Sequence, residues 1–300
     1  MCLILFSINT HPHLPLIVAA NRDEFYRRPT LSAHHWQEAP HVLAGKDLEA
    51  GGTWMGITND GRFAAVTNFR APEKGVPNNV RSRGELVRDF LAQQEHNKTS
   101  ARNYAEEIIS QGHQYAGFNL LVSDGKDFIY CNNQTNEIKA LTSGIYALSN
   151  HLLDTPWPKA TRGRNGLGEI INHTEEKMTT AGHTELTNSL FTLLQNKQPA
   201  LEGELPKTGI DKNMEKLLSS VFIESEHYGT CSSTAIIFHK KNSVYFHEKQ
   251  FYSEDHKKEH STFLYQDNLI AANQPKIKNS NNSINENLTG DSVFQITLNE

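Results

Sequence analysis

Apolar segments of this sequence come in pairs joined by short polar turns, and this pairing constrains the fold more than any other feature. The turn candidates are residues 11–15, 59–61 and 124–125, the last two with Asp-Gly sequences typical of hairpins. Tight turns join antiparallel strands, because parallel strands need a crossover of a dozen or more residues. The sequence therefore predicts antiparallel sheets, with strands at residues 2–8, 16–20, 54–58, 62–68, 118–123, 128–131, 145–148, 230–239 and 244–248.

Segments with helical spacing of apolar residues lie between these strand pairs. Helices are predicted after Ser82 and Ser100 and within residues 166–173, 185–195 and 212–221. Alternation of strand and helix blocks predicts an α+β fold, a four-layer αββα sandwich of two antiparallel sheets. We expect residues 1–272 to form this one domain and the Asn- and Ser-rich residues 273–300 to form a mobile tail.

Charge and composition restrict the partners and cofactors. The 300 residues carry a net charge of -5, which gives no basic surface for nucleic acid. The apolar N-terminal run is too short to span a membrane and lacks the basic flank of a signal peptide. Three cysteines and fifteen histidines form no CxxC, HExxH or CxxCH motif. We therefore expect a cytoplasmic protein with no cofactor, no metal, no nucleic-acid partner and no stable membrane insertion; its oligomeric state stays open.

The first hairpin places charged residues at one end of a buried strand pair. If its turn centres near residue 12 or 13, the numbers of paired residues sum to about 24–26. Cys2 then faces Arg22, Asp23 and Glu24, with directly opposed Cβ atoms ~4.5–5.5 Å apart. Charged residues are seldom buried unless they are paired.

This arrangement suits nucleophilic catalysis by an N-terminal residue. Met1 is generally removed when the second residue is small, and the freed α-amine of Cys2, with an ordinary pKa of ~7.7–8, can serve as general base. Arg22 is expected to lower the pKa of the thiol, and Asp23 to hold the amine. The structural alternative is a small core cysteine beside an ordinary Arg22–Asp23 ion pair.

The second hairpin predicts an oxyanion site. Centred at about residue 60.5, it pairs Thr53 with Asn68, beside two glycines that would let the backbone approach a ligand. A side-chain amide together with backbone N–H groups commonly stabilises an oxyanion, and Asn150 ends another strand where it could serve similarly. The alternative is that Asn68 forms a turn and that Gly51 and Gly52 form a bend.

A series of longer motifs occurs in one order along the chain. NRDEFYRRP begins at Asn21, and YALSNHLLDTPWPK begins at Tyr146. The others are GGTWMGIT at Gly51, GRFAAVTNFR at Gly61, SRGELVRDFL at Ser82, GFNLLVSD at Gly117 and YGT at Tyr228. The series resembles the NRDE family, also called the transport and Golgi organisation protein 2 family, from Cys2 to about Tyr265.

The resemblance implies an N-terminal-nucleophile hydrolase fold of αββα type, similar to the penicillin and bile-salt amidases. It implies Cys2 as nucleophile and base, Arg22 and Asp23 as the supporting charged pair, Asn68 as oxyanion contact and Asn150 as a second positioning amide. The implied substrate-binding residues are Asn21, Glu24, Gly52, Thr53, Trp54, Arg70 and Tyr228. Where the family often has Arg after YGT, this chain has Cys231, so one cationic contact is expected to be missing.

These residues predict a thiol-dependent amidohydrolase that cleaves a C–N amide or related acyl bond of a small molecule. The alternative is a non-catalytic protein that handles haem, lipid or acyl-CoA, roles with which the family has been linked. A scaffold protein with an unreactive Cys2 is the third possibility, because a fold does not by itself imply a function.

Overall fold

The computed structural model describes residues 2–70, 80–175, 179–240, 242–251 and 291–298. The strands are β1 (Cys2–Ile8), β2 (Leu16–Phe25), β3 (Thr30–His35), β4 (Val42–Asp47), β5 (Met55–Thr58), β6 (Phe63–Asn68), β7 (Phe118–Ser123), β8 (Phe128–Asn132), β9 (Glu137–Ala140), β10 (Gly144–Leu148), β11 (Tyr228–His239), β12 (Ser243–Gln250) and β13 (Asp291–Thr297). The α-helices are α1 (Gly84–Leu91), α2 (Ala101–Ser110), α3 (Pro158–His173), α4 (Thr180–Leu194) and α5 (Lys212–Leu217). Short 3-10 helices lie at Glu95–Asn97, Gly112–Gln114 and Glu202–Glu204.

The described strands form two sheets. Sheet A has the order β10-β1-β2-β11-β12-β13, and sheet B has the order β3-β4-β5-β6-β7-β8-β9. Every pairing within them is antiparallel. The predicted antiparallel sheets are confirmed.

The two sheets pack face to face over an apolar core. Side chains of β1 alternate between the faces of sheet A, so Ile4 and Phe6 point toward sheet B while Leu3 and Leu5 point away from it. The Phe6 ring stacks on Phe128 of sheet B, with centroids 5.4 Å apart. Burial of such a large side chain contributes about 1.5–3 kcal/mol.

Helices cover the outer face of each sheet. On sheet A, α3 and α4 contribute Leu167 and Leu190 to a core that includes Leu3 and Leu5. On sheet B, α1 and α2 pack through apolar residues such as Phe90. The layers therefore follow the order helix, sheet, sheet, helix, and the predicted αββα sandwich is confirmed.

Two elements differ from the sequence prediction in ways that matter. α3 begins at Pro158, eight residues before the predicted start, because the glycine-rich sequence between residues 163 and 168 obscured its helical pattern. The mobile tail is wrong for residues 291–297, which form β13 and pair along β12, with Phe246 opposite Phe294. β13 was not predicted as a strand because its short alternation of apolar residues lies in a stretch of mostly polar composition. Residues 273–290 lie outside the described part of the chain.

The strands β3, β4 and β9 were also missed. All three are short. In addition, β3 carries a register irregularity between Leu31 and His34, which interrupts its two-residue alternation. Within the described ranges, no helix combines the length and apolar character needed to cross a bilayer.

Candidate active site

The start of β1 and the end of β2 meet at one corner of sheet A. Cys2 lies opposite Arg22, as the hairpin arithmetic predicted, and the pairing continues to Ile8 opposite Leu16. Beyond Arg22, β2 pairs with β11, where Thr230 lies opposite Asp23. Alternation places Cys2 and Arg22 on the face toward sheet B and Asp23 on the face toward the α3–α4 layer.

Cys2 is a free cysteine and is partly exposed. Burial raises the pKa of the thiol, and the negative charge of Asp23 adds to that effect. A hydrogen bond from the Asp23 backbone and the charge of Arg22 oppose it. Arg22 therefore lowers the pKa of the thiol, as expected, but desolvation outweighs its attraction and the pKa is raised overall.

Asp23 is a buried carboxylate with partners on two other elements. It is 1% exposed, and the Thr230 hydroxyl donates to its Oδ1 at 2.8 Å. Burial raises the pKa of Asp23, while Lys159 of α3, Thr230 and Arg22 lower it. The Tyr228 hydroxyl donates to the Asp23 carbonyl at 3.2 Å, so β11 closes over this end of β2.

Residues 149 and 150 connect Cys2 to sheet B. The Ser149 hydroxyl donates to the Cys2 carbonyl at 3.0 Å, and the Asn150 amide donates to the Asn68 carbonyl at 2.9 Å. The Asn150 carbonyl accepts from the Arg70 backbone at 2.7 Å. Asn150 is fully buried, and its two bonds join the segment after β10 to the end of β6.

Asn68 reaches this corner by a register that differs from the prediction. β5 and β6 pair Met55 with Ala65, so Thr53 precedes β5 and Asn68 instead pairs with Phe118 of β7. The turn holds three residues between Thr58 and Arg62, and Gly61 has φ 86, so the hairpin centre moves by half a residue. The Asn68 side chain is exposed, as an amide that contacts a substrate must be.

The loop before β5 packs against α1 rather than lying open. A Cβ on Gly52 would meet the Gly84 backbone at 2.5 Å, and the Thr53 amide donates to the Gly84 carbonyl at 3.2 Å. Gly52 therefore allows the loop to touch the start of α1, and its expected approach to a ligand stays a prediction. Trp54 is partly buried and packs against the cores on both sides of sheet B.

Other predicted binding residues divide between buried and partly exposed positions. Asn21 is fully buried, with its amide bonded to the carbonyls of Leu194 and Val221 at 2.9 Å and to Ser233. It therefore ties β2 to the end of helix α4 and to the segment before β11. Glu24 is partly exposed and accepts the amide of Phe25 through its own carboxylate.

Arg70 anchors the segment that leads into α5. Its guanidinium bonds to Glu215 and to the Thr208 hydroxyl, each at 3.1 Å, and lies over the Trp157 ring at 5.1 Å. Thr208 also donates its backbone amide to Glu215. Burial lowers the pKa of Arg70, and Glu215 opposes that shift. Arg70 thus ties the end of β6, beside Asn150, to the segment that leads into α5.

Cys231 occupies the bulge of β11, where the register shifts between Thr230 and Ser232. Its thiol contacts the Glu24 carbonyl at 3.5 Å, and burial raises its pKa to about 11. The side chain that follows the YGT motif is therefore neutral in this chain.

Two cations near Cys2 were not among the predicted site residues. Lys159 is 1% exposed on α3, and the charges of Asp23 and Cys2 favour its protonated form. Arg83, at the start of α1, donates to the Gly117 carbonyl at 3.2 Å and is influenced by Cys2 and Glu24. Both lie in quoted motifs, and a lysine in the first turn of a helix opposes the helix dipole, which was an available signal.

Within the described ranges, no group of three or more His, Cys, Asp or Glu side chains is arranged to hold a metal ion. The site thus consists of a thiol, a buried carboxylate, several cations and two amides.

The fold and this corner define a four-layer αββα protein with a cysteine at the start of a central strand. A sequence model of the Transport and Golgi organisation 2 family matches residues 1–253. The chain belongs to that family, as the motif series predicted.

Relatives from several animals agree with this assignment. The Transport and Golgi organization protein 2 homologs of Bos taurus and Homo sapiens are each 34% identical over 275 residues, which cover 85% of this chain and 95% of each relative. The Drosophila melanogaster protein is 30% identical over 273 residues, covering 83% and 92%.

Solved structures with related folds are much more distant in sequence. A mutant conjugated bile acid hydrolase from Clostridium perfringens has a TM-score of 0.45 and 10% identity, covering 82% of this chain and 88% of its own. A Caenorhabditis elegans ortholog of N-acylethanolamine-hydrolyzing acid amidase has a TM-score of 0.45 and 11% identity, covering 79% and 92%. The fold assignment made above rests on strand order and layers.

Proposed function

We propose that the protein is a thiol-dependent amidohydrolase whose nucleophile is Cys2 after removal of Met1. The observation that carries the proposal is the meeting of Cys2, Arg22 and Asp23 with the Ser149–Asn150 segment that leads to Asn68. Removal of Met1 would place a free α-amine on the same residue as the thiol, opposite a guanidinium and beside a buried carboxylate. N-terminal nucleophiles use that amine as their base.

The proposed reaction has two steps, acylation of Cys2 and hydrolysis of the resulting thioester. The α-amine accepts the thiol proton, the sulfur attacks the acyl carbon, and the carbonyl oxygen becomes an oxyanion that the exposed Asn68 amide stabilises. The C–N bond then breaks, the amine product leaves with the proton from the α-ammonium, and a thioester remains on Cys2. Water attacks the thioester with the α-amine again as base, which releases the carboxylic acid and restores the thiol.

Arg83 favours a substrate that carries a negative charge. No carboxylate among the described residues lies within ion-pair distance of its guanidinium, although Glu24 and Cys2 influence it electrostatically. A half-buried cation without a paired anion attracts a carboxylate or phosphate. We propose that Arg83 supplies the cationic contact that Cys231 cannot supply. In this proposal Trp54, Arg70 and Tyr228 line the substrate site.

We also propose that the protein works in the cytoplasm.

The alternative is a carrier of haem, lipid or acyl-CoA that does not react with its ligand, and a Cys2 thiol whose pKa is raised by burial fits an unreactive site. In the amidase, removal of Met1 must supply the base that converts the thiol into a thiolate.

Intact-mass measurement tests both functions on one sample. We expect a chain without Met1 that gains the mass of an acyl group when mixed with N-acyl amino acids, penicillins or acyl thioesters and quenched with acid. Cys2→Ser should lose the labile thioester adduct, whereas the matched Cys131→Ala should retain it, because Cys131 is a fully buried core residue. Retention of Met1, or no adduct together with a Soret shift on haem titration, would support the carrier.

A further inference from the structure

Lys159 is a fully buried lysine for which the fold offers little compensation. Its side chain is 1% exposed, and its Nζ has no hydrogen-bond partner among the described residues. It lies in the first turn of α3, directly after Pro158, where the helix dipole disfavours a cation. Lysine is almost never fully buried unless it is paired, so this position calls for a physical reason.

The charged groups that face Lys159 come from three elements. Asp23 of β2 and Cys2 of β1 favour its protonated form, and Arg70, after β6, disfavours it. Burial is the largest influence and lowers the pKa of Lys159. Asp23 also interacts with Thr230, Arg22 and Tyr228. Lys159 differs from these three residues because it is an amine that approaches Asp23 from the α3 side of the sheet.

Removal of Met1 would bring a second amine to the same carboxylate. The nitrogen of residue 2 is fixed in β1 opposite Arg22, one position from Asp23 on β2. One buried carboxylate can neutralise one ammonium ion, and a second buried ammonium would carry an uncompensated charge.

We propose that Lys159 is a positioning residue, which shares the Asp23 carboxylate with the α-amine of mature Cys2 and thereby keeps that amine in its free-base form. This inference rests on the proposed amidase function. It gives the buried lysine the task of maintaining the catalytic base.

The intrinsic basicity of the two amines decides which of them gives up its proton. An ordinary α-amine has a pKa of ~7.7–8, whereas a lysine amine has a pKa of ~10.4. Burial penalises both ammonium ions, so the weaker base loses its proton first while Lys159 keeps its proton and the attraction of the Asp23 charge. The three groups titrate as one coupled unit. Arg22 adds a further positive charge near the α-amine and acts in the same direction.

The pKa of the α-amine is the direct test, and it needs no substrate. In protein shown by intact mass to begin at Cys2, the thiol is blocked as a methyl disulfide, and trace acetylation of the α-amine is followed from pH 5 to 9 by peptide mapping. We expect the wild-type α-amine to titrate below a reference Cys peptide treated in the same way. Lys159→Met should raise its pKa by about one pH unit or more, because a like charge has been removed.

Lys46→Met is the matched control, since Lys46 pairs with the exposed Glu38 away from the site. It should leave the α-amine pKa unchanged. A folded Lys159→Met protein with the wild-type α-amine pKa would overturn the proposal. If that variant does not fold, a wild-type α-amine that titrates at or above the reference peptide would overturn it equally.

The outcomes also separate this inference from the proposed function. An unshifted α-amine in a protein that forms the acyl adduct removes the role of Lys159 but leaves the amidase. A shifted α-amine without any adduct leaves the role of Lys159 but removes the amidase. Retention of Met1 contradicts both, because the shared amine would not exist.

Discussion

Two hairpins meet at the candidate site, and they differ in what determines the position of their end residues. The β1–β2 hairpin ends in Cys2 and Arg22, and the pairing derived from its sequence is correct. The β5–β6 hairpin leads to Asn68, and the pairing derived from its turn is wrong by one residue. The first end is buried among charges, whereas the second presents an exposed amide.

Length and burial explain this difference. β1 pairs along its whole length with β2, and both strands are buried on two faces, so a slip of one residue would displace many apolar side chains. β5 has only four residues, and its turn accommodates three residues instead of two. Substitutions at the first end should therefore change stability and reactivity together, whereas substitutions at the second end should change one without the other.

The largest expected effect is a loss of stability in Asp23→Asn, at the buried end of the first hairpin. Loss of the carboxylate removes the largest favourable charge acting on the buried Lys159, and an uncompensated buried charge costs several kcal/mol. Urea unfolding measures this loss. Glu38→Gln, which breaks the exposed pair with Lys46, should cost at most about 1 kcal/mol.

The pH dependence of Asp23→Asn has a definite sign. Burial lowers the pKa of Lys159, and without Asp23 the folded state binds the lysine proton still less tightly than the unfolded chain does. The stability contributed by a neutral Lys159 is therefore present above the unfolded pKa of ~10.4 and is lost as the pH falls. The deficit of the variant relative to wild type should be smaller at pH 9 than at pH 7. A small stability deficit that does not change with pH would show that Asp23 does not compensate the charge of Lys159.

Asn68→Ala should reduce turnover without a matching loss of stability. The side chain is exposed at the end of β6, and removal of one oxyanion donor typically reduces kcat about 10²–10³-fold. The measurement is kcat for whichever acyl substrate forms the Cys2 adduct, together with a thermal melt. Asn188→Ala, on the exposed face of α4, is the control and should change neither value. An unchanged kcat with a lowered Tm would make Asn68 structural and remove the contrast between the hairpins.

The alkylation rates of the three thiols should also differ, by less than the expected change in kcat for Asn68→Ala. Burial raises the pKa of all three thiols, to about 11 in Cys231 and about 12 in Cys131, but Cys2 is partly exposed whereas the other two are buried. Iodoacetamide should therefore label Cys2 first, Cys231 second and Cys131 last, with every rate rising between pH 7 and pH 8.5 because the thiolate is the nucleophile. Peptide mapping gives the order. If Cys2 proves the slowest, it is a plain core cysteine.

The sequence predicted the parts of the molecule that depend on local pattern. Hairpin pairing, burial alternation and the motif series lead to the αββα layers and to Cys2, Arg22 and Asp23. They do not lead to Lys159, because its place beside Asp23 depends on how α3 packs on sheet A. β13 was missed for a similar reason, since its pairing with β12 joins residues far apart in sequence. Position across layers is set by tertiary packing, which a single-sequence pattern does not record.

Gly61→Ala tests whether the turn or the neighbouring strand holds Asn68 in place. Gly61 has φ 86, which costs an alanine roughly 1–2 kcal/mol, and the added Cβ would lie 3.2 Å from Leu298. β6 nevertheless pairs with β7 from Phe63 to Asn68, so its register does not depend on the turn. We therefore expect a small loss of unfolding free energy with unchanged turnover.

Gly125→Ala provides the control for this last test, because Gly125 has φ 84 and its added Cβ would meet nothing closer than 4.0 Å. The two variants should lose similar stability, since backbone strain is common to both and the contact with Leu298 only adds to it in Gly61→Ala. A fall in kcat confined to Gly61→Ala would show that the turn positions the Asn68 amide. The second hairpin would then couple structure to chemistry as the first does, and the contrast between them would lie in burial alone.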